Sequence, residues 1–432
     1  MACPRNHNWL PPDMKESIVS TTTNDQADET KIEPGTGHTR QTFLIGEQVY
    51  LRPIQSGDEK YAASWKQGIV RSSVSSAEKW IEEDLKDEES LHLMIVRKSD
   101  DRIVGSLVRD RWKHNIWIDG YIDPLFGDQG DLWLAEAYCM MLQWSVDEQH
   151  RLVASINRVP GNKPVILEKL EEIGARSSSI FHEAQRVGDA FIDWHIVTYL
   201  NKDWVRTLGD PYAIEKPRTG TGEPRPVIAP VDVEGDNLPL NAIRVGPRVY
   251  LRPLQKADAA KLVEWSRRET EPFWSSGRDV VAQTSAENWF ERLGKTEPQT
   301  WVRFAVCLRE NDEYIGSVGV DQIDYDNRCG ESESEFHNVE YRSKGYGTEA
   351  KHLLFDYAFN TLGLHSLQSW VMYGNTRSAA ALRKQGYKDV GIEPWLVRRD
   401  GGYECFGTYE LLADEWRAMP RARVEEAGDL AG

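Results

Sequence analysis

The chain has 432 residues, a formal net charge of -17 and 40% hydrophobic residues, 16 of its residues being Trp. That length exceeds one ordinary hydrophobic core and predicts two domains, while the acidic balance disfavours nucleic acid and anionic membrane surfaces as partners. No apolar run is long enough for a spanning helix or a signal-peptide core, and five cysteines without C-x-x-C spacing disfavour a disulfide framework or a metal site, so a soluble chain in the reducing cytoplasm is expected.

Residues 1–41 are polar and without apolar periodicity, which predicts a disordered tail. A first domain is expected over 42–206. A Pro-rich linker follows over 207–241, where Pro211, Pro217, Pro224, Pro226, Pro230 and Pro239 interrupt any helix or central strand. A second domain is expected over 242–420, with a short tail over 421–432. The two domains repeat each other: Gly46-Glu-Gln-Val-Tyr-Leu-Arg-Pro53 returns as Gly246-Pro-Arg-Val-Tyr-Leu-Arg-Pro253, Ser76-Ala-Glu-Lys-Trp80 as Ser285-Ala-Glu-Asn-Trp289, and Ile103-Val-Gly-Ser-Leu107 as Tyr314-Ile-Gly-Ser-Val318. A period of about 200 residues is too long for a solenoid and marks a duplicated domain.

In the second copy the pattern predicts a strand at 248–252, helices over 256–268 and 285–293, and a hairpin of 301–308 with 313–320 around Glu310-Asn-Asp312. A strand at 331–337 leads through a turn into a helix over 346–360 with Leu353, Leu354, Tyr357 and Ala358 on its apolar face. A strand at 366–372, a helix at 376–385 stopped by Gly386, and two strands ending near Leu411 complete it. Hairpins mixed with crossovers predict an α+β (mixed α/β) fold, each copy a mostly antiparallel twisted sheet flanked by helices.

Val339-Glu-Tyr-Arg342-Ser-Lys-Gly345-Tyr-Gly347-Thr348-Glu-Ala350 lies between a strand and a helix. Its glycines let successive N–H groups converge at a helix N-terminus, an anion site beside which Arg342 and Lys344 add positive charge. The spacing Gly345-x-Gly347-x-x-Ala350 also matches the dinucleotide fingerprint, but that motif belongs after the first strand of a βαβ unit, with an acidic residue ending the next strand. Here the next strand ends at Met372-Tyr373-Gly374. A plain turn is the remaining alternative.

Taken in order, Arg342-x-x-Gly345-x-Gly347, the strand 366–372 and Gly374-Asn375-Thr-Arg-Ser378-Ala-Ala-Ala-Leu382-Arg-Lys-Gln-Gly386 resemble the acyl-CoA core of the GNAT acetyltransferase superfamily, nearest the RimJ/RimL kind. The resemblance covers 246–416 well and 45–204 weakly. It implies an N-acetyltransferase using acetyl-CoA as co-substrate, without a metal. The acceptor it implies is a primary amine on a protein N-terminus, a polyamine or an aminoglycoside-like small molecule, and a homodimer is the expected assembly. Arg342, Ser343, Lys344, Gly345, Tyr346, Gly347 and Thr348 would hold the pyrophosphate, Asn375 and Arg383 would serve the rest of the cofactor, and Ser378 would lie near the thioester sulfur. Many members carry a tyrosine seven residues after the asparagine as general acid; Leu382 stands there.

An attacking amine must first lose a proton. Glu331, Glu333 and Glu335 alternate along one strand and share a face, and the resemblance favours Glu331 or Glu333 as the base without separating them. A solvated strand face is the alternative, and His337 a further candidate. Asp321, Asp324 and Asp326 resemble the start of a calcium loop, but Cys329 holds the place of its sharp-turn glycine, which leaves a solvated turn.

In the first copy the motif is degraded to Asp123-Pro-Leu-Phe-Gly-Asp128-Gln-Gly130-Asp131-Leu132: the arginine is gone, Leu132 replaces the second glycine, and two aspartates oppose an anion. This copy is expected to fold without binding CoA well. A non-catalytic acetyl-CoA-binding regulatory or interaction protein is the competing reading of the whole chain.

Overall fold

Two strand-rich halves follow one another with the same element order. The computed structural model describes residues 42–66, 74–112, 115–213, 223–233, 238–267, 281–293, 299–336, 338–399 and 402–422. The expected tail 1–41, all but two residues of the tail 421–432, residues 268–280, parts of the linker and His337 lie outside the described residues.

The first half comprises β1 (Leu44–Ile45), β2 (Val49–Pro53), α1 (Ala62–Trp65), α2 (Val74–Asp84), β3 (Leu91–Arg97), β4 (Arg102–Trp112), β5 (Asn115–Ile122), α3 (Gly127–Gln143), β6 (Val153–Pro160), α4 (Pro164–Glu172), β7 (Arg176–Val187), β8 (Ala190–Leu200) and α5 (Lys202–Leu208). The second comprises β9 (Arg244–Val245), β10 (Val249–Pro253), α6 (Ala259–Ser266), α7 (Gln283–Leu293), β11 (Val302–Leu308), β12 (Tyr314–Asp324), β13 (Cys329–Glu335), α8 (Tyr346–Asp356), β14 (Ser366–Met372), α9 (Thr376–Lys384), β15 (Lys388–Arg399), β16 (Gly402–Leu412) and α10 (Ala413–Ala418).

The strands buried on both faces are rich in apolar residues on either side. In β3, Leu93 and Ile95 join the core beneath α3, while Met94 and Val96 pack with Trp65, Ala77 and Ile81 of α1 and α2. The second half repeats this. Leu353, Leu354 and Phe355 of α8 meet Leu251, Val306 and Val320, and on the opposite face Trp265 packs with Tyr250, Ala305 and Cys307. Even polar details recur: Arg52 grips Asp58 and Arg252 grips Asp258, each through two guanidinium nitrogens.

All strands form one sixteen-stranded sheet in the order β1-β2-β3-β4-β5-β6-β8-β7-β15-β16-β14-β13-β12-β11-β10-β9. The halves meet at β7 and β15, where Gly391 stands opposite Ser179. A Cβ on Gly391 would lie 2.3 Å from the Ser178 carbonyl oxygen, so only glycine permits this approach. Ser179 Oγ and Thr408 Oγ1 add a 2.9 Å hydrogen bond across the junction. Part of the linker is pinned to the second half: the Val227 N–H donates to Pro420 at 2.7 Å, the Ile228 N–H to His352 Nδ1 at 2.9 Å and the Val231 N–H to Val245 at 2.7 Å.

Among the described residues, each half contains one parallel strand pairing, three residues long. β5 pairs β6 from Ile116↔Ala154 to Ile118↔Ile156, and β13 pairs β14 from Cys329↔Ser366 to Glu331↔Gln368. Beyond those points the strands part, so each half holds a wedge between its two parallel strands.

Candidate functional site

The wedge of the second half opens toward the glycine turn. Asn338 Oδ1 accepts the Glu340 N–H at 3.0 Å and starts one helical turn, after which Ser343 (φ 59°) and Gly345 (φ 77°) take left-handed conformations that bring the chain into α8. The first N–H groups of α8 have no carbonyl one turn earlier to bond, so Tyr346, Gly347 and Thr348 present donors at the positive end of the helix. A Cβ on Gly347 would sit 3.3 Å from the Phe336 ring, closing the space in front of them.

The turn is braced from both sides. Arg342 Nε donates to the Phe336 carbonyl at 2.7 Å. Arg248 donates to the Lys344 carbonyl at 2.9 Å, pairs with Glu349 at 2.8 Å and lies over the Tyr346 ring at 5.0 Å. Glu349, fully buried, also accepts the Arg248 and Val249 N–H groups at 2.7 and 3.0 Å, which fastens α8 to β10. Sequence reasoning missed Arg248 and Glu349, although the repeated Gly-x-x-Val-Tyr-Leu-Arg-Pro segment that carries Arg248 was in view.

Across the wedge, Asn375 caps α9: its Oδ1 accepts the Ser378 N–H at 3.2 Å. Leu382 is 4% exposed and belongs to the apolar core. Arg383 is engaged by Asp389 at 2.8 and 3.0 Å and lies over the Tyr409 ring, which leaves its expected cofactor role resting on the resemblance alone.

In the first half the counterpart of the glycine turn is built as helix. Both long helices end in a π-turn, Trp144–Glu148 after α3 and Tyr357–Thr361 after α8, but α3 has 17 residues and α8 has 11. Counted back from the shared π-turn, Gln129, Asp131, Leu132 and Leu134 stand where the second half has Arg342, Lys344, Gly345 and Gly347. Leu132 therefore matches the first glycine, two residues from the pairing expected from spacing. Amides that form a cradle in one half are consumed by helical hydrogen bonds in the other. Moreover α3 packs along α4, with Lys163 Nζ on Asp131 at 2.8 Å, whereas α8 and α9 make no comparable contact.

The strand carboxylates separate by their partners. Glu333 and Glu335 both pair with Arg303, the latter at 3.0 Å, and the Arg303 guanidinium lies 4.5 Å from the Trp289 ring centroid. Glu331 instead receives the Gln322 side-chain amide at 3.0 Å. Burial, with Asp321 opposite it and Glu393 nearby, pushes its carboxyl up to about 8, against the opposing pull of Lys351. Glu393, buried and bonded by the Trp370 indole N–H, is itself pushed up to about 7, and burial raises Asp321 too. In the first half the residue facing Asp110, as Glu331 faces Asp321, is Trp117. The turn read as a false calcium loop is held otherwise: Asp324 accepts from Asn327 at 2.9 and 2.8 Å and pairs with Arg158 of the first half at 3.2 Å.

The family model described as the acetyltransferase (GNAT) domain matches residues 248–388. The chain is 30% identical over 183 residues to the probable N-acetyltransferase YjcK of Bacillus subtilis (strain 168), an alignment covering 39% of this chain and 95% of the relative. It is 31% identical over 154 residues to the uncharacterized N-acetyltransferase p20 of Bacillus licheniformis, covering 34% of this chain and 82% of the relative. Among solved structures it is similar to spermidine N-acetyltransferase from Vibrio cholerae in complex with CoA and spermine, at 19% identity and a TM-score of 0.36 over 39% of this chain and 98% of that one.

Proposed function

This chain belongs to the GNAT acetyltransferase family, and from that premise we propose that its second half moves an acetyl group from acetyl-CoA to a primary amine by direct attack. The observation that carries this reading is the contrast between halves: a glycine turn that leaves the first N–H groups of α8 unbonded within the helix in one, and a longer α3 salt-bridged to the start of α4 in the other. We read 42–206 as a degenerate copy, 207–241 as the linker and 242–420 as the working domain of RimJ/RimL type.

Acetyl-CoA, when bound, supplies the acyl group as an activated thioester. The N–H groups of Gly345 to Thr348, with Ser343, Arg342 and Lys344, would hold its pyrophosphate, Asn375 would orient the pantetheine arm, and Ser378 would serve the thioester end. Glu331 accepts the proton of the attacking amine at Oε1, the oxygen not bonded by Gln322. Glu333 is less suited, because Arg303 holds its charge. A carboxyl raised to about 8 matches an α-amine, which titrates near about 8, better than a lysine at about 10.4. A peptide N-terminus is therefore the expected acceptor.

Leu382, buried where many members place a general acid, favours the second reading, a protein that binds acetyl-CoA without turning it over. Incubating the chain with acetyl-CoA and a panel of peptides, polyamines and aminoglycosides, followed by mass spectrometry, separates the two. Acetylated product above the uncatalysed background is expected; CoA binding with no product from any acceptor would leave the sensor.

A further inference from the structure

The apex of the second wedge holds a buried polar chain for which the proposed transfer, as described so far, has no use. Lys351, on α8 and 2% exposed, donates from Nζ to Ser332 Oγ at 2.8 Å. Ser332 Oγ in turn shares a short hydrogen bond with the Tyr387 hydroxyl. One residue beyond the last backbone pair of β13 and β14, Ser369 Oγ donates to the Ser332 carbonyl at 3.2 Å and substitutes for the ladder that ends there. Ser332, Tyr387 and Ser369 are all buried, and the Phe355 ring lies 5.5 Å from Lys351 Nζ and 5.7 Å from the Tyr387 ring. An ammonium in such a place costs more than an apolar side chain of the same size, even when it is hydrogen-bonded.

We infer that Lys351, acting through Ser332 Oγ, is the proton source for the departing thiolate and replaces the side-chain acid that Leu382 cannot provide. The inference rests on the transfer reading above. As the amine nitrogen bonds the acetyl carbon and the carbon–sulfur bond breaks, Glu331 takes the amine proton. Lys351 Nζ gives a proton to Ser332 Oγ, whose own proton passes to the sulfur. Glu331 and Lys351 begin as carboxylate and ammonium and end as carboxylic acid and amine; return of one proton from Glu331 to Lys351 resets the pair. The sum is one thioester and one amine converted to one amide and one thiol.

The electrostatics suit this exchange. Burial draws Lys351 down to about 7 while Glu331 is drawn up to about 8, so the charged and neutral forms of the pair lie close in free energy near neutral pH. The charged groups facing the pair are Asp321 from β12 and Glu393 from β15, both pushed upward by burial, and Tyr387, whose hydroxyl burial keeps protonated.

Bound CoA gives a readout that needs no turnover. Its thiol is titrated by ultraviolet thiolate absorbance in the wild type and in Lys351→Met, Ser332→Ala and Glu331→Gln. The wild type is expected to hold the bound thiol roughly one unit below free CoA, and Lys351→Met to return it to the free value. Lys351→Met and Ser332→Ala are also expected to lower kcat at least roughly tenfold with CoA affinity within about twofold of wild type. A bound thiol that titrates alike in wild type and Lys351→Met, or affinity lost in step with kcat, overturns the relay. If Glu331→Gln keeps full turnover while Lys351→Met shifts the thiol, the strand base is wrong and the relay stands. If Glu331→Gln loses turnover and the thiol ignores Lys351, the relay is wrong and the base stands.

Discussion

Lys163, the residue before α4, and Asp131 of α3 join the two helices at 2.8 Å in the first half, and α9 and α8 of the second half make no comparable contact. Counted from the shared π-turn, the anionic Asp131 stands where the second half has the cationic Lys344. The two halves should accordingly differ in kind rather than in degree as CoA sites.

Isothermal titration with CoA is expected to return one site per chain. Gly347→Glu, which puts bulk and negative charge beside Phe336, should lower the affinity by at least roughly a hundredfold, about 2.7 kcal/mol. Lys163→Ala should leave the stoichiometry at one. Two equivalent sites per chain would contradict this reading of the first half.

The pH dependence of turnover follows from the direction in which Glu331 is displaced. Raised to about 8, it is protonated and idle as a base below that value and active above it. With a peptide α-amine, kcat should rise to a maximum between about pH 7 and 8 and fall beyond it, because Lys351, drawn down to about 7, loses the proton it donates as Glu331 becomes basic. Glu331→Gln should remove most of this rise and reduce kcat by roughly a hundredfold or more, with CoA affinity unchanged. Glu333→Gln and Glu335→Gln should instead raise the acceptor KM by loosening Arg303. Profiles of all three variants from pH 6 to 9 distinguish these outcomes, and three wild-type profiles would remove the strand carboxylates from the chemistry.

The junction between halves carries a testable ion pair. Buried Glu410 of β16 accepts the His182 backbone N–H at 2.7 Å and pairs with the His182 ring, and burial raises its carboxyl. His182→Ala should cost roughly 1 to 3 kcal/mol in chemical denaturation. Glu410→Gln added to it should recover part of that loss, because no buried charge is then stranded. An additive cycle would show that the pair contributes nothing.

Gly391→Ala tests the seam directly. Its Cβ would press on the Ser178 carbonyl and Ser179, both backbone-anchored, so relief requires β7 and β15 to separate. A loss of roughly 1 to 3 kcal/mol is expected, read as a lower denaturation midpoint. An unchanged midpoint would mean that the seam yields freely.

Local signals were legible in the chain. The turn Gly345-x-Gly347, the hairpin around Asn311, the Asn375 cap and the element order of the second copy are set within ten or so residues of one another, so spacing alone located them. The 3₁₀ turn Lys256–Asp258 shortens the predicted helix to α6, and β12 runs on to Asp324. What spacing could not supply was long-range. Arg303 taking both Glu333 and Glu335, Lys351 reaching Ser332, and Gly391 meeting Ser179 each depend on strands placed side by side by the whole sheet. The extra helical turns of α3 were also hidden, since Gly130 mimics the glycine of the working turn while lying inside a helix.

The sheet ends on β1 and β9, strands of two residues each, and Val231 of the linker already bonds the Val245 carbonyl on the β9 side. Broad sheets usually carry a hazard in their exposed margins, where unpaired amides and carbonyls recruit strands from other molecules. By turning two halves seam-inward and tapering both outer margins to stubs, this chain retains sixteen strands yet leaves, among the described residues, almost no template on which another molecule's strand can grow.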